Sequence, residues 1–118
     1  MEGSLIYNRC VELPDAYEAQ LMVRQEKPGN RPPTGEKETI YRARVWIGTT
    51  WQRDPMAYWS QEHRDPVLAV DACYRMLLAA APAVIKSLDA LGAVAALVDE
   101  HFSGAVPAGE FTYPLAGR

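Results

Sequence analysis

Residues 39–47 read Thr-Ile-Tyr-Arg-Ala-Arg-Val-Trp-Ile. Tyr41, Ala43, Val45 and Ile47 fall on one side of a two-residue period, and Arg42, Arg44 and Trp46 fall on the other. A strand sends successive side chains to opposite faces. The stretch therefore predicts a strand with one face for a core and a second face that is cationic and aromatic.

The same period recurs on both sides of this stretch. Tyr17, Ala19, Leu21 and Val23 alternate with Glu18, Gln20, Met22 and Arg24. Residues 15–27 read as a strand on this pattern, although Asp15 and Glu18 have the spacing of a capping box and helix is the competing reading. Met56–His63, set off by Asp54-Pro55, is expected as a further strand, and Leu5–Leu13 as a fourth. Lys27–Glu38 carries three prolines, two glycines and no large apolar side chain, so a long loop is expected there.

From Asp65 the period changes to helical. Asp65-Pro66 has the form of an N-cap followed by proline at the first helical position. Val67, Val70, Tyr74, Leu77 and Ala81 would form the core stripe, with Asp71 and Arg75 paired on a flank. The rest of that surface is nearly all apolar, which predicts cover on two sides, and Leu68, Ala72 and Met76 would be left over for self-association. Pro82 reads as the start of a second helix with a stripe of Val84, Leu88, Leu91, Ala95, Val98 and Phe102, and Gly92 as a point of bending. The expectation is an α+β domain: an antiparallel sheet of three to four strands with two C-terminal helices on one face. Residues 1–104 would form this single domain, strand-rich to 64 and helical from 65. Residues 105–118 would be an irregular tail, with Phe111 and Tyr113 as its anchors.

Bulk properties narrow the function classes. The chain has 118 residues with 12 basic and 15 acidic side chains, a net charge of −3 and a pI near 5.3. Residues 1–65 hold nine Lys/Arg and ten Asp/Glu, and residues 66–118 hold three and five, so there is no basic arm or acidic tail. This balance disfavours binding driven by a phosphate backbone. Cys10 and Cys73 are 63 positions apart, which suits free thiols in a reducing compartment. The first residues lack a basic stretch followed by an apolar one, and the longest apolar run in the helical half, Met76–Ile85, is too short for a bilayer. A cytoplasmic location is expected.

Chemistry is sparse. His63 and His101 have no His or Cys at ligand spacing, so no metal is expected. No phosphate-binding glycine loop or nucleophile elbow occurs, Cys73 falls at the edge of a core stripe, and no cofactor is implied. An enzyme is not expected.

The unusual surface is Arg42, Arg44 and Trp46, with Trp51, Arg53 and Trp59 following. Arg and Trp dominate binding hot spots because they bury large area with directed polar contacts. The opposing reading places the helices over the Trp46 side and makes the tryptophans core. Arg42, Arg44, Trp46, Trp51 and Arg53 are the candidate contacts, and Asp99 and Glu100 would meet a basic partner. A protein partner is the first expectation, with a homodimer through helix 66–81 beside it. A nucleic acid stacking on the same Arg/Trp face is the alternative.

Residues 39–81, with the Asp-Pro-led alanine-rich helix DPVLAVDACYRMLLAA, resemble in layout many small proteins encoded by phages and mobile elements, anti-CRISPR inhibitors among them. That resemblance implies a stoichiometric inhibitor of host machinery and transfers no functional residue.

Overall fold

The computed structural model describes residues 2–27, 39–50 and 57–104. Four strands, β1 (Glu2–Glu12), β2 (Tyr17–Lys27), β3 (Ile40–Thr49) and β4 (Ala57–His63), are followed by α1 (Pro66–Val84) and α2 (Leu88–Phe102). The strands form one antiparallel sheet in the order β1-β2-β3-β4. This is the expected α+β architecture.

Residues 17–27 are strand. The apparent capping box lies instead at the β1–β2 turn, where Asp15 and Ala16 have positive φ (61° and 66°). Two consecutive residues of that hand are what a type I′ hairpin turn requires, because its twist matches the strands it joins. Tyr17 N–H donates to Pro14 O, and Leu13 N–H donates to Tyr17 O (2.8 Å).

Register places the alternation. Leu21 opposes Arg9 on one side and Val45 on the other, and Val45 opposes Trp59. Ala19, Leu21, Val23, Ala43, Val45 and Ile47 are buried beneath the helices with Val70, Cys73, Tyr74 and Leu77 of α1. A register shift between Leu5 and Tyr7 leaves Ile6 as an extra residue in β1, a β-bulge. The helices therefore cover the Tyr41/Val45 side, and among the described residues no helix covers the Trp46 side.

α1 lies along β2, β3 and β4. Its cap is the expected one, with Val67 N–H donating to Asp65 Oδ1 (2.8 Å). It is longer than the period suggested: Pro82 sits inside its last turn, where only the Leu78 carbonyl loses a partner to the missing N–H. Val67 is exposed, whereas Ala72 and Met76, expected to be free, are buried because α1 packs on both the sheet and α2. By length and composition α1 would suffice to cross a membrane, with a mean hydropathy of 1.6 over 18 residues. Ten of its side chains are buried within the domain.

α2 starts afresh at Leu88, with Ser87 Oγ accepting from Ala90 N–H (3.1 Å). It packs on α1 and on the β1–β2 turn. Its buried side is Ala90, Val94, Leu97 and Val98, while Leu88, Ala95 and Phe102 of the expected stripe are exposed. The helix is continuous through Gly92.

Both ends of α2 are tied by polar contacts. At its start, the Ser87 hydroxyl donates to Asp15, and the adjoining Lys86 N–H donates to Tyr17 Oη (3.1 Å). At its end, His101 Nε2 is 2.8 Å from Asp71 Oδ1 and the imidazole stacks on Tyr74, centroids 3.9 Å apart. Asp71 thus bonds across to α2 in place of the expected pairing with Arg75, whose guanidinium lies over the Phe102 ring. The Tyr74 hydroxyl shares a hydrogen bond with Tyr7 and accepts another from Arg9 Nη1 (3.0 Å). Burial, reinforced by that shared bond, raises the Tyr7 pKa and keeps it neutral.

Candidate interaction surface

The open face of the sheet is built by parity. Even-numbered residues of β2 and β3 point away from the helices, as do Asn8, Cys10 and Glu12 of β1 and Ser60 and Glu62 of β4. Cross-strand pairs set the neighbours. Arg24 opposes Arg42, Met22 opposes Arg44, and Gln20 opposes Trp46. Arg42, Arg44 and Trp46 are brought onto one face as expected, and Arg24 joins them from β2. Reading Arg24 as part of this group needed the register, since only pairing places it opposite Arg42.

Arg42 is held on both sides. Its Nε and Nη2 donate to the two carboxylate oxygens of Glu26 (3.2 and 3.3 Å), and Nη2 also donates to Glu62 Oε2 (2.8 Å). Glu26 is 7% exposed, so this fork offsets the desolvation of a nearly buried carboxylate. The same bonds, that to Glu26 first, raise the Arg42 pKa and hold the guanidinium charged. Two arginines directly opposite repel one another, so the two carboxylates also make the Arg24–Arg42 pair tolerable. Arg44 and Trp46 are half-buried.

Trp46 is fixed by a glycine. Its indole lies so close over Gly48 that a Cβ there would fall 2.7 Å from Cζ2. The small residue leaves room for the ring, and that contact limits its freedom before any partner arrives. Asn8 and Gln20 share a hydrogen bond beside it (2.9 Å).

The remaining candidates lie elsewhere. Trp51 and Arg53 fall outside the described residues, as do Phe111 and Tyr113. Asp99 and Glu100 are exposed on α2, on the other side of the sheet from Arg42. Cys73 is buried, its thiol donating to the carbonyls of Met22 and Arg44 (3.3 and 3.8 Å), and burial pushes its pKa up to about 12. A thiol so protonated is a poor nucleophile. Among the described residues no group of three His, Cys, Asp or Glu is placed to hold a metal ion.

No protein-family model, curated protein or solved structure matches the chain.

Proposed function

We propose that this chain is a non-catalytic protein-binding module that captures its partner on the open face of its sheet. The observation that carries this reading is that face: among the described residues the helices cover one side of the sheet only, and the half-buried Arg24, Arg42, Arg44 and Trp46, the last packed against Gly48, line the other. Arg and Trp are the residue types that supply most energy at protein interfaces. Glu12, Glu18, Glu26 and Glu62 stand among the arginines on the same face. Mixed charge of this kind suits a protein surface and opposes a phosphate backbone. A stoichiometric inhibitor of the type phages encode, acting by occlusion in the cytoplasm, is the specific form the layout resemblance favours. Two free thiols are consistent with that reducing setting.

The test is capture from a nuclease-treated bacterial lysate by the tagged chain, by Arg24→Glu and by Trp46→Ala. Arg24 is chosen over Arg42 because loss of Arg42 would leave Glu26 buried without its partner. The expected result is one stoichiometric protein band, lost with Arg24→Glu while circular dichroism and melting stay unchanged. Capture that survives both substitutions overturns the reading. Co-eluting nucleic acid that salt removes would put the nucleic-acid alternative in its place.

A further inference from the structure

Of the six large apolar side chains exposed among the described residues, five lie on the helices: Val67, Leu68, Leu78, Leu88 and Phe102. The helical layer is therefore the apolar side of the molecule, and it is distinct from the sheet face discussed above. Contiguous exposed apolar surface marks an interaction site more often than chance. What covers it is indicated by charge.

The outward side of α2 carries Asp89, Asp99 and Glu100, and the helix has no lysine or arginine. Between these charges its exposed residues are Gly92, Ala95 and Ala96, and a Cβ at Gly92 would meet nothing within 4 Å. This is a flat, shallow, acidic strip. α1 is its complement. It exposes Leu68, Leu78 and Ala79 around Arg75, its Asp71 being engaged with His101, and Lys86 follows in the link to α2. The outward side of α1 thus sets Arg75 among apolar residues, with Lys86 just beyond its end, and that of α2 is small-sided and anionic.

The two helices run antiparallel, joined by residues 85–87, with the end of α2 beside the first half of α1. His101 stands level with Asp71 and Tyr74, which puts Asp99 near the height of Arg75, whose guanidinium reaches back to 4.9 Å from the Phe102 ring centroid. A two-fold axis parallel to the helices and between them would lay α1 of one copy on α2 of the other at equal height. Arg75 then meets the partner's Asp99, Lys86 meets the partner's Asp89, and Leu78 enters the hollow over the partner's Gly92 and Ala96. Each contact occurs twice, as isologous symmetry demands. We propose that the outer face of the helical layer is an interface between two copies of this chain, α1 of each on α2 of the other. Helices of 19 and 15 residues offer a footprint of about 500 Å² per copy. That is below a standard interface and places the contact among weak, transient associations.

Sedimentation of the full chain across about 1 to 300 µM tests this by mass action. The mass should rise from 13.1 kDa toward twice that value with concentration. Arg75→Glu and Asp99→Arg should each weaken the dimer about tenfold or more, and the combined swap should restore it, since both contacts are then remade with reversed sign. Gly92→Ala gives an independent reading: it should raise the monomer's melting temperature while weakening the dimer, because a methyl group fills the hollow. A chain that stays monomeric throughout the range overturns the proposal. So does a dimer indifferent to Arg75→Glu and Gly92→Ala, or one that the swap fails to restore.

Discussion

Ala16 stands in the left-handed region without a glycine's freedom. That conformation costs an L-residue about 1 kcal/mol, so Ala16→Gly should stabilise the domain by about that amount, read from urea unfolding with an unchanged m-value. Gly48 sits at the opposite extreme, since its lack of a side chain is what seats Trp46. Gly48→Ala should displace the indole, shifting the Trp46 Nε1–H resonance while the resonances of the β2 core stay put. Arg42 is the third such residue. Arg42→Ala strips Glu26 of its fork, and the penalty of a nearly buried carboxylate left without its partner is about 2 kcal/mol. Cys73 makes the domain sensitive to alkali. Its folded pKa stands near 12 against an ordinary 9.0, so the unfolded chain releases that proton first and stability falls as pH rises from 9 toward 12. Cys73→Val should flatten the alkaline limb of a plot of stability against pH between 9 and 10.

At the level of elements, the strands were legible and the helices only partly so. Alternation in 17–24 and 39–47 is a local signal with a fixed period, and a one-residue slip would turn every side chain over. Parity alone therefore assigned both faces of β2 and β3. What it left open was which face the helices cover, because Tyr41 and Trp46 are both large and aromatic. α2 was misplaced for a different reason. Its phase is set at a new start, where Ser87 caps the helix and Asp15 from a distant turn holds Ser87, and no periodic extension from α1 carries that information. The exposed Leu88 and Phe102 then drew the stripe to the wrong side. His101, a polar residue on the buried side, gave no signal apart from its four-residue step from Leu97. Because His101 closes α2 onto α1 through Asp71 and Tyr74, His101→Ala should speed amide exchange in the last two turns of α2 and leave β3 protected.

Across the whole molecule, the candidate site was legible as residue types and hidden as an arrangement. Arg42, Arg44 and Trp46 were visible in one strand, but the partnership of Arg42 with Glu26 and Glu62 joins three strands and depends on register. Asp99 and Glu100 read as a second, acidic contact for a partner, and the fold puts them on the opposite layer from Arg42. The molecule thus has two sides of different character: a polar sheet face set with arginine and tryptophan, and a helical face on which exposed leucines adjoin acidic and basic strips. The parity of β2 and β3 also separates two kinds of inheritance. Odd positions answer to the core, so their substitutions are paid in stability, whereas most even positions answer to whatever lies outside. A lineage bearing this fold can revise that outer sheet face largely one even residue at a time without renegotiating its interior, and a saturating mutational scan of 17–25 and 41–49 should display that freedom as a tolerance that alternates along the chain and lapses at Arg42 and Gly48.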